Sequence, residues 1–404
     1  MGEATEPGPH MSAGPHTGYT QCNRATLIAS GGAYFDRMVA LIDGAHQCVH
    51  LQVYIFANDR TGARIGEALV RAATRGVQVY LIVDAFASAG IARDLVARLV
   101  QAGGHFRFFE PLFSSRHWYF GRRMHHKVLV ADQQHALVSG RNVAERYDDV
   151  DGQRGWLDMA LEVEGKAATE LDRLCYRVWN GTMRKEGDKR AVPPTTKEAG
   201  TVACDIPPDQ RCTVRVRYND WLRRQTRISA SYQELFREAR GDIQLVSAYF
   251  LPGLALRRAM RQAADRGVRI TLIMGDRSDV RIARLAGRWF HAWLLRHGIE
   301  VFAYQHQVLH AKLAVRDGCW CTLGSFNLND LSAYTTTELN LDVDNERLAG
   351  AMRLEVLRIA HEECQQVTAA IEQRTGSGER LLRWAAYHTL SLAYRFVTFY
   401  YRRE

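Results

Sequence analysis

Two stretches of this chain carry the same reactive residues in the same order, and any fold must account for both. The first, MHHKVLVADQQHALVSGRN, holds His125, Lys127, Asp132, Ser139, Gly140 and Asn142. The second, LHAKLAVRDGCWCTLGSFN, holds His310, Lys312, Asp317, Gly324, Ser325 and Asn327. In both, Lys follows His by two residues, Asp follows Lys by five, and Asn follows Asp by ten. A lone HxK is a common accident. Two copies with one downstream spacing define a duplicated unit.

The duplication extends upstream. Residues 49–56 (VHLQVYIF) and 243–250 (IQLVSAYF) read as buried strands, each followed by a helix-period run, a glycine and a second strand at 77–83 or 268–274. Gly76 and Gly267 fall where a left-handed residue would end the helix. Each copy continues into another helix, 92–102 or 283–297, and another strand, 105–109 or 299–304. Alternating strands and helices predict an α/β fold, here two pseudo-two-fold related domains, each a mixed β-sheet flanked by helices. A chain of 404 residues, 47% hydrophobic and 24% charged, has the composition and length for two such cores and excludes a disordered or low-complexity protein. The expected divisions are a disordered 1–20, domains at 21–182 and 213–376, a Pro-containing linker at 183–212, and a tail at 377–404. The N-terminus lacks the apolar stretch of a signal peptide. Eight scattered cysteines show no disulfide framework and no paired zinc-ligand spacing, which suits a reducing compartment.

The motif residues suit phosphoryl chemistry. Strand alternation puts His125 with Lys127, and His310 with Lys312, on one face, and turns His126 to the other. Two imidazoles and two ammonium groups meeting at a pseudo-two-fold axis make a cationic pocket for a tetrahedral phosphate. Asn142, Asn327 and Ser325 can add neutral donors. One neutral histidine can attack phosphorus while a protonated one donates to the leaving alkoxide. No metal or cofactor is required, because the lysines stabilise the developing charge. Asp132 and Asp317 stand at strand ends before a turn, where supporting the site by capping backbone N–H groups is the expected task.

The paired HxKxxxxD…N motifs resemble the phospholipase D superfamily over nearly residues 20–345. Within it, RRMHHKVLVAD, AYFLPG and LHAKLAV…LGSFNLNDLS are similar to bacterial cardiolipin synthases of the two-motif, B-type kind. The resemblance implies two phospholipase D-like domains with the active site at their interface and a covalent phosphohistidine. His125 would be the nucleophile and His310 the general acid. It also implies a carboxylate beyond each motif that orients that motif's own imidazole, and Asp158 and Glu338 fall on the strands where it is expected. Ser139-Gly140 departs from the usual Gly-first order, which weakens a phosphate role for Ser139.

Fifty-three Lys and Arg against 44 Asp and Glu give a net charge of +9, suited to anionic lipid, phosphate or nucleic acid. The leading expectation is a phosphatidyltransferase acting on anionic phospholipids, phosphatidylglycerol with or without phosphatidylethanolamine. It would sit peripherally on the cytoplasmic side of the inner membrane. A phospholipase D hydrolase or a nuclease with the same site is the alternative, and nucleic acid is disfavoured because the aromatic segments have no use there. A silent membrane-binding protein is disfavoured because both motifs keep every reactive residue. Aromatic-basic segments at 113–123, 284–296 and 380–403 fit a membrane interface. As a helix, 381–401 would reach about 31 Å. A helical wheel sets Arg380, Arg383, Ser391, Arg395, Thr398 and Arg402 opposite Leu382, Ala386, Ala393, Phe396, Val397 and Tyr400, which predicts a helix lying in the membrane plane.

Overall fold

Apolar runs buried on both faces dictate the centre of the molecule. The computed structural model describes residues 18–109, 123–181, 191, 204–220, 225–329 and 336–402, with side chains to 393. The expectations for residues 1–17, for most of the linker and for 113–122 lie outside the described residues.

The first half opens with β1 (Thr20–Ile28) and α1 (Gly31–Asp43). It continues through β2 (Cys48–Val53), α2 (Arg60–Thr74), β3 (Gln78–Asp84), α3 (Arg93–Gln101) and β4 (His105–Phe109). The short β5 (Arg123–Met124) leads into β6 (Lys127–Ala131), β7 (His135–Ser139), β8 (Ala160–Gly165) and α4 (Lys166–Gly181).

The second half repeats the plan with β9 (Cys212–Asp220), β10 (Gln225–Thr226), α5 (Arg227–Glu238), β11 (Asp242–Ser247), α6 (Leu254–Asp265) and β12 (Arg269–Arg277). Then come α7 (Arg281–Arg288), α8 (His291–Arg296), β13 (Glu300–Val308), β14 (Lys312–Arg316), β15 (Trp320–Gly324) and β16 (Thr336–Asp344). It ends with α9 (Glu346–Glu363), β17 (Cys364–Val367), α10 (Ala369–Gln373) and α11 (Ser377–Arg402).

Strand pairing runs β4-β3-β2-β6-β7-β8-β1 in the first half. In the second it runs β9-β16-β15-β14-β11-β12-β13-β17. Three adjacent strands of each half are parallel and the rest antiparallel, and β1 joins β9 antiparallel. The result is one open mixed sheet with a pseudo-two-fold between β1 and β9. Alternation sorts the side chains. Val49, Leu51 and Val53 face a core under α1–α3, while Val128 and Val130 face a core shared by both halves, α4 and α9. Ile65, Ala68, Leu69 and Ala72 form the apolar stripe of α2, each large one contributing about 1.5–3 kcal/mol by burial.

The left-handed glycines stand where expected, Gly76 and Gly267 each at φ +87°. The helix predicted over 283–297 is instead two. Trp289 and Phe290 close with i→i−3 bonds to Ala286 and Gly287, which turns Phe290 into the core and leaves Trp289 outside. Cys319 lies in a turn, half-buried, and only Cys321 reaches the core. Although the scattered cysteines suggested no disulfide framework, Cys22 and Cys204 form a disulfide with Cα atoms 5.7 Å apart.

The tail is helical, and its first turns pack on α7. Arg383, placed by the wheel on the polar side, is turned inward, its guanidinium shared by Glu372 at 2.9 Å and Glu379 at 2.7 Å. Leu382, placed on the apolar side, is 59% exposed. Two buried-facing carboxylates outweigh the simple wheel. Among the described residues no helix is long and apolar enough to cross a membrane.

One buried network clamps the joint. On Asp342 of β16, Oδ2 accepts from Arg215 of β9 at 2.9 Å, Arg217 at 3.2 Å and Ser231 of α5 at 2.6 Å. Asp342→Ala strands the buried Arg215, with Glu234 as its one remaining carboxylate among the described residues. The expected cost is about 3 kcal/mol, read as a lower urea midpoint with an unchanged slope. A change below about 0.5 kcal/mol would show that the network is not structural.

Candidate active site

Each motif histidine sits in a two-residue break between strands: His125 between β5 and β6, and His310 just before β14. The breaks are held by the opposite half. His125 N donates to Thr337 O at 2.9 Å, and His310 N donates to Leu157 O at 2.8 Å. Each acceptor is followed in sequence by a carboxylate, and the side chains therefore cross as well. His125 Nδ1 lies 3.0 Å from both oxygens of Glu338. His310 Nδ1 lies 2.7 Å from Asp158 Oδ2. Both carboxylates are fully buried; the His125 side chain is 17% exposed and that of His310 7%.

The lysines complete the centre. Lys127 Nζ donates to His125 O at 2.5 Å, and Lys312 Nζ lies 2.9 Å from His310 Nδ1 and also donates to His310 O. Burial lowers the Lys127 ammonium to about 7 and the Lys312 ammonium to about 8. Burial likewise lowers both imidazoles. Lys127 and Lys312 add to this at each, and His310 falls well below the ordinary histidine range. The two carboxylates part company. Burial raises Asp158, prevailing over Lys312 and Arg141. At Glu338 burial is outweighed by His125, Lys127 and Ser325, so its carboxyl is held low. The first pair is therefore a neutral imidazole on an ionised carboxylate. In the second pair burial moves the carboxyl the other way, above the ordinary aspartate range.

Other motif residues divide. Ser325 Oγ donates to Glu338 and accepts from Leu339 N at 3.1 Å. Its counterpart in the repeat is Gly140, where a Cβ would stand 2.5 Å from Asp158 Oδ2. The shorter aspartate needs that space to reach across. Asn142 is engaged by Tyr147 Oη at 2.9 Å and Ile55 N at 3.1 Å, so it braces the wall. Asn327 is buried, and its Oδ1 has no partner among the described residues. Asp132 and Asp317 do not join a phosphate pocket. Each gives its carboxylate to the backbone N–H groups of a turn: residues 46–48 at 2.8–2.9 Å, and residues 240–242 at 2.7–3.3 Å. Ser139 accepts from Arg141 N at 2.7 Å. His126 points away, to Gln52 at 2.8 Å and Thr337 at 3.3 Å.

Several site residues had not been singled out. The ring of Tyr54 meets His125 edge-on at 5.1 Å, and Tyr147 meets His310 likewise at 5.1 Å. Trp156 lies 6.1 Å from His310 and stacks under Arg146. Arg141, fully buried, donates to the main-chain carbonyls of Ile28, Ala29 and Asp158. Asp84, at the end of β3, accepts from Met124 N at 3.1 Å and fixes the strand before His125. The repeat carried no signal for Tyr54, because Ala248 holds the matching place in the second copy.

A continuous sheet with two crossed His–carboxylate pairs and two buried lysines defines a phospholipase D-type phosphodiester enzyme. A family model described as "Cardiolipin synthase, PLD-like domain" matches residues 38–175 and 232–359. The chain belongs to this family, and it is a phospholipase D-type phosphatidyltransferase similar to cardiolipin synthases. Cardiolipin synthase B of Escherichia coli (strain K12) is 29% identical over 352 residues, 85% of this chain and 82% of that protein. The cardiolipin synthase of Clostridium perfringens (strain SM101 / Type A) is 26% identical over 340 residues, 83% of this chain and 70% of that one. In fold, the crystal structure of phosphatidylserine synthase from Haemophilus influenzae Rd KW20 matches with a TM-score of 0.66 at 12% identity, over 93% of this chain and 94% of that one.

Lowered ammonium groups lose their protons at lower pH than an ordinary lysine, so their charge disappears as pH rises. With a short-chain soluble phosphodiester, kcat/KM is expected to fall as pH rises through about 7–8. A profile flat to pH 10 would remove the lysines from the rate. Lys127→Met and Lys312→Met should each lower the rate by about 10²–10³, with a near-native melting curve. An active double lysine variant would rule out this pocket.

Proposed function

We propose that this enzyme makes cardiolipin-type lipids by transferring a phosphatidyl group through His125. Nε2 of neutral His125 attacks the phosphorus of phosphatidylglycerol. The bond from phosphorus to the glycerol oxygen breaks, and His310 supplies the proton that the departing alkoxide needs. His310 then takes a proton from the hydroxyl of a second phosphatidylglycerol. That oxygen attacks phosphorus, the P–N bond breaks, and His125 returns to its neutral form. One phosphodiester replaces another, so little net driving force is required. Phosphatidylethanolamine is the alternative donor.

The observation that carries this reading is the inequality of the two pairs. An ionised Glu338 fixes the proton of His125 on Nδ1 and leaves the Nε2 lone pair free. Asp158, raised by burial, lies on Nδ1 of His310 and orients the ring so that Nε2 can serve as the acid. An arriving phosphodiester anion favours protonation of His310, which the empty cationic pocket resists. The positions of Lys127 and Lys312 suit them to neutralise the phosphoryl oxygens, with Ser325 acting through Glu338. The net charge of +9 and the exposed Leu381 and Trp384 support a peripheral position on the cytoplasmic face of the inner membrane.

Purified protein given phosphatidylglycerol vesicles should yield cardiolipin and glycerol. Phosphatidic acid alone would make it a hydrolase, and cleaved DNA with untouched lipid a nuclease. His125→Ala and His310→Ala should both abolish turnover. With an activated substrate that needs no proton donor, only His310→Ala should form a covalent phosphoenzyme. Labelling of His125→Ala instead would reverse the roles, and labelling of neither would undermine the covalent route.

A further inference from the structure

Between the tail helix and the second half lies a cavity of about 640 Å³ that includes no residue of the catalytic centre. Its walls come from α6, α7, α8, α10 and α11. Five arginines and a single carboxylate, Glu372, line it. Arg383 is neutralised by Glu372 and Glu379, and Arg288 by Asp276 and, at 3.5 Å, Glu379. The other three are not. Arg257 has a buried Nε with no hydrogen-bond partner among the described residues, and its guanidinium lies 5.6 Å from the Phe290 ring. Arg380 meets only the carbonyls of Glu372 and Gln373, at 3.3 and 3.2 Å. Arg296 has no carboxylate partner among the described residues and stands at the end of α8.

Cations gathered without counter-charge at one concavity select an anion. The rest of the lining is mostly apolar and includes three aromatic rings, Trp289, Phe290 and Trp293. Beside Arg380 on the same helix, Leu381 is 63%, Leu382 59% and Trp384 46% exposed. A bare phosphate would make no use of those surfaces. An amphiphile with an anionic head uses both.

We propose that this cavity is a second, non-catalytic site for an anionic phospholipid. Arg257, Arg296 and Arg380 hold its phosphodiester, and Trp289 and Trp293 lie against its glycerol and first methylenes. This rests on the reading that the enzyme works at a phospholipid surface. The site fastens the second half to anionic lipid through a molecule that is not turned over, and the exposed leucines and Trp384 of α11 enter the same leaflet.

The test compares two variants of equal charge change. Arg257→Gln/Arg296→Gln alters the cavity. Arg258→Gln/Arg261→Gln alters exposed arginines of α6 outside it. Co-sedimentation with phosphatidylcholine vesicles carrying phosphatidylglycerol should weaken about tenfold or more for the first variant and change little for the second. Both should turn over short-chain soluble phosphatidylglycerol at the parent rate. Equal weakening in both, or none in the first, overturns the site. A second measurement does not depend on the arginine variants. Vesicles of phosphatidylglycerol brominated on the acyl chains should quench the parent's tryptophan fluorescence, and Trp289→Phe/Trp293→Phe should lose part of that quenching. Undiminished quenching also overturns it. If the parent makes no cardiolipin, the proposed reaction fails, while the binding results still decide the cavity.

Discussion

The exchange of carboxylates between the two halves is the constraint on which the rest of this structure depends. Each histidine is oriented by an acid from the other half, and each break in the strands is closed by a backbone bond to the residue before that acid. Such geometry tolerates no slip between the halves. It explains why β1 and β9 are joined into one sheet and why the core shared with α4 and α9 contains residues of both halves. The buried network on Asp342 reads in the same way, as a means of fixing β16, and with it Glu338, against β9.

The duplication is exact in plan and broken in detail where chemistry needs it. Gly140 opposes the shorter acid, Asp158, by making room; Ser325 opposes the longer one, Glu338, by donating to it. Arg141, buried under the Asp158 loop, has Phe326 as its counterpart, so only one carboxylate rests on a guanidinium-bound main chain. The two acids shift in opposite directions: burial raises Asp158 in spite of Arg141, while His125, Lys127 and Ser325 lower Glu338. A symmetric pair of sites would offer two equal histidines. The proposed transfer through His125 uses two unequal ones.

Much of this was legible in the sequence because it is local or repeated. The strand–helix order, the helix-ending glycines and the His and Lys of each motif all show in periodicity and spacing. The capping task of Asp132 and Asp317 followed from their place at a turn. The crossing of Glu338 to His125 and Asp158 to His310 did not show, because those partners are 213 and 152 residues apart and sheet register alone brings them together. The inward turn of Arg383 was hidden for a related reason. A helical wheel sorts residues by polarity and knows nothing of a carboxylate such as Glu372 on a neighbouring helix. The break at Trp289 and Phe290 comes from a tertiary preference for one aromatic inside and one outside, which no local propensity encodes.

The crossing also sets a schedule. A ribosome makes His125 long before it makes Glu338, and Glu338 follows even the second motif. A nascent chain ending short of that residue would present His125 without the carboxylate that orients its ring. The carboxylate arrives only when β16 pairs with β5 and β9. For an enzyme whose substrate is the membrane around it, the topology itself acts as a safety catch, released by the completion of the fold.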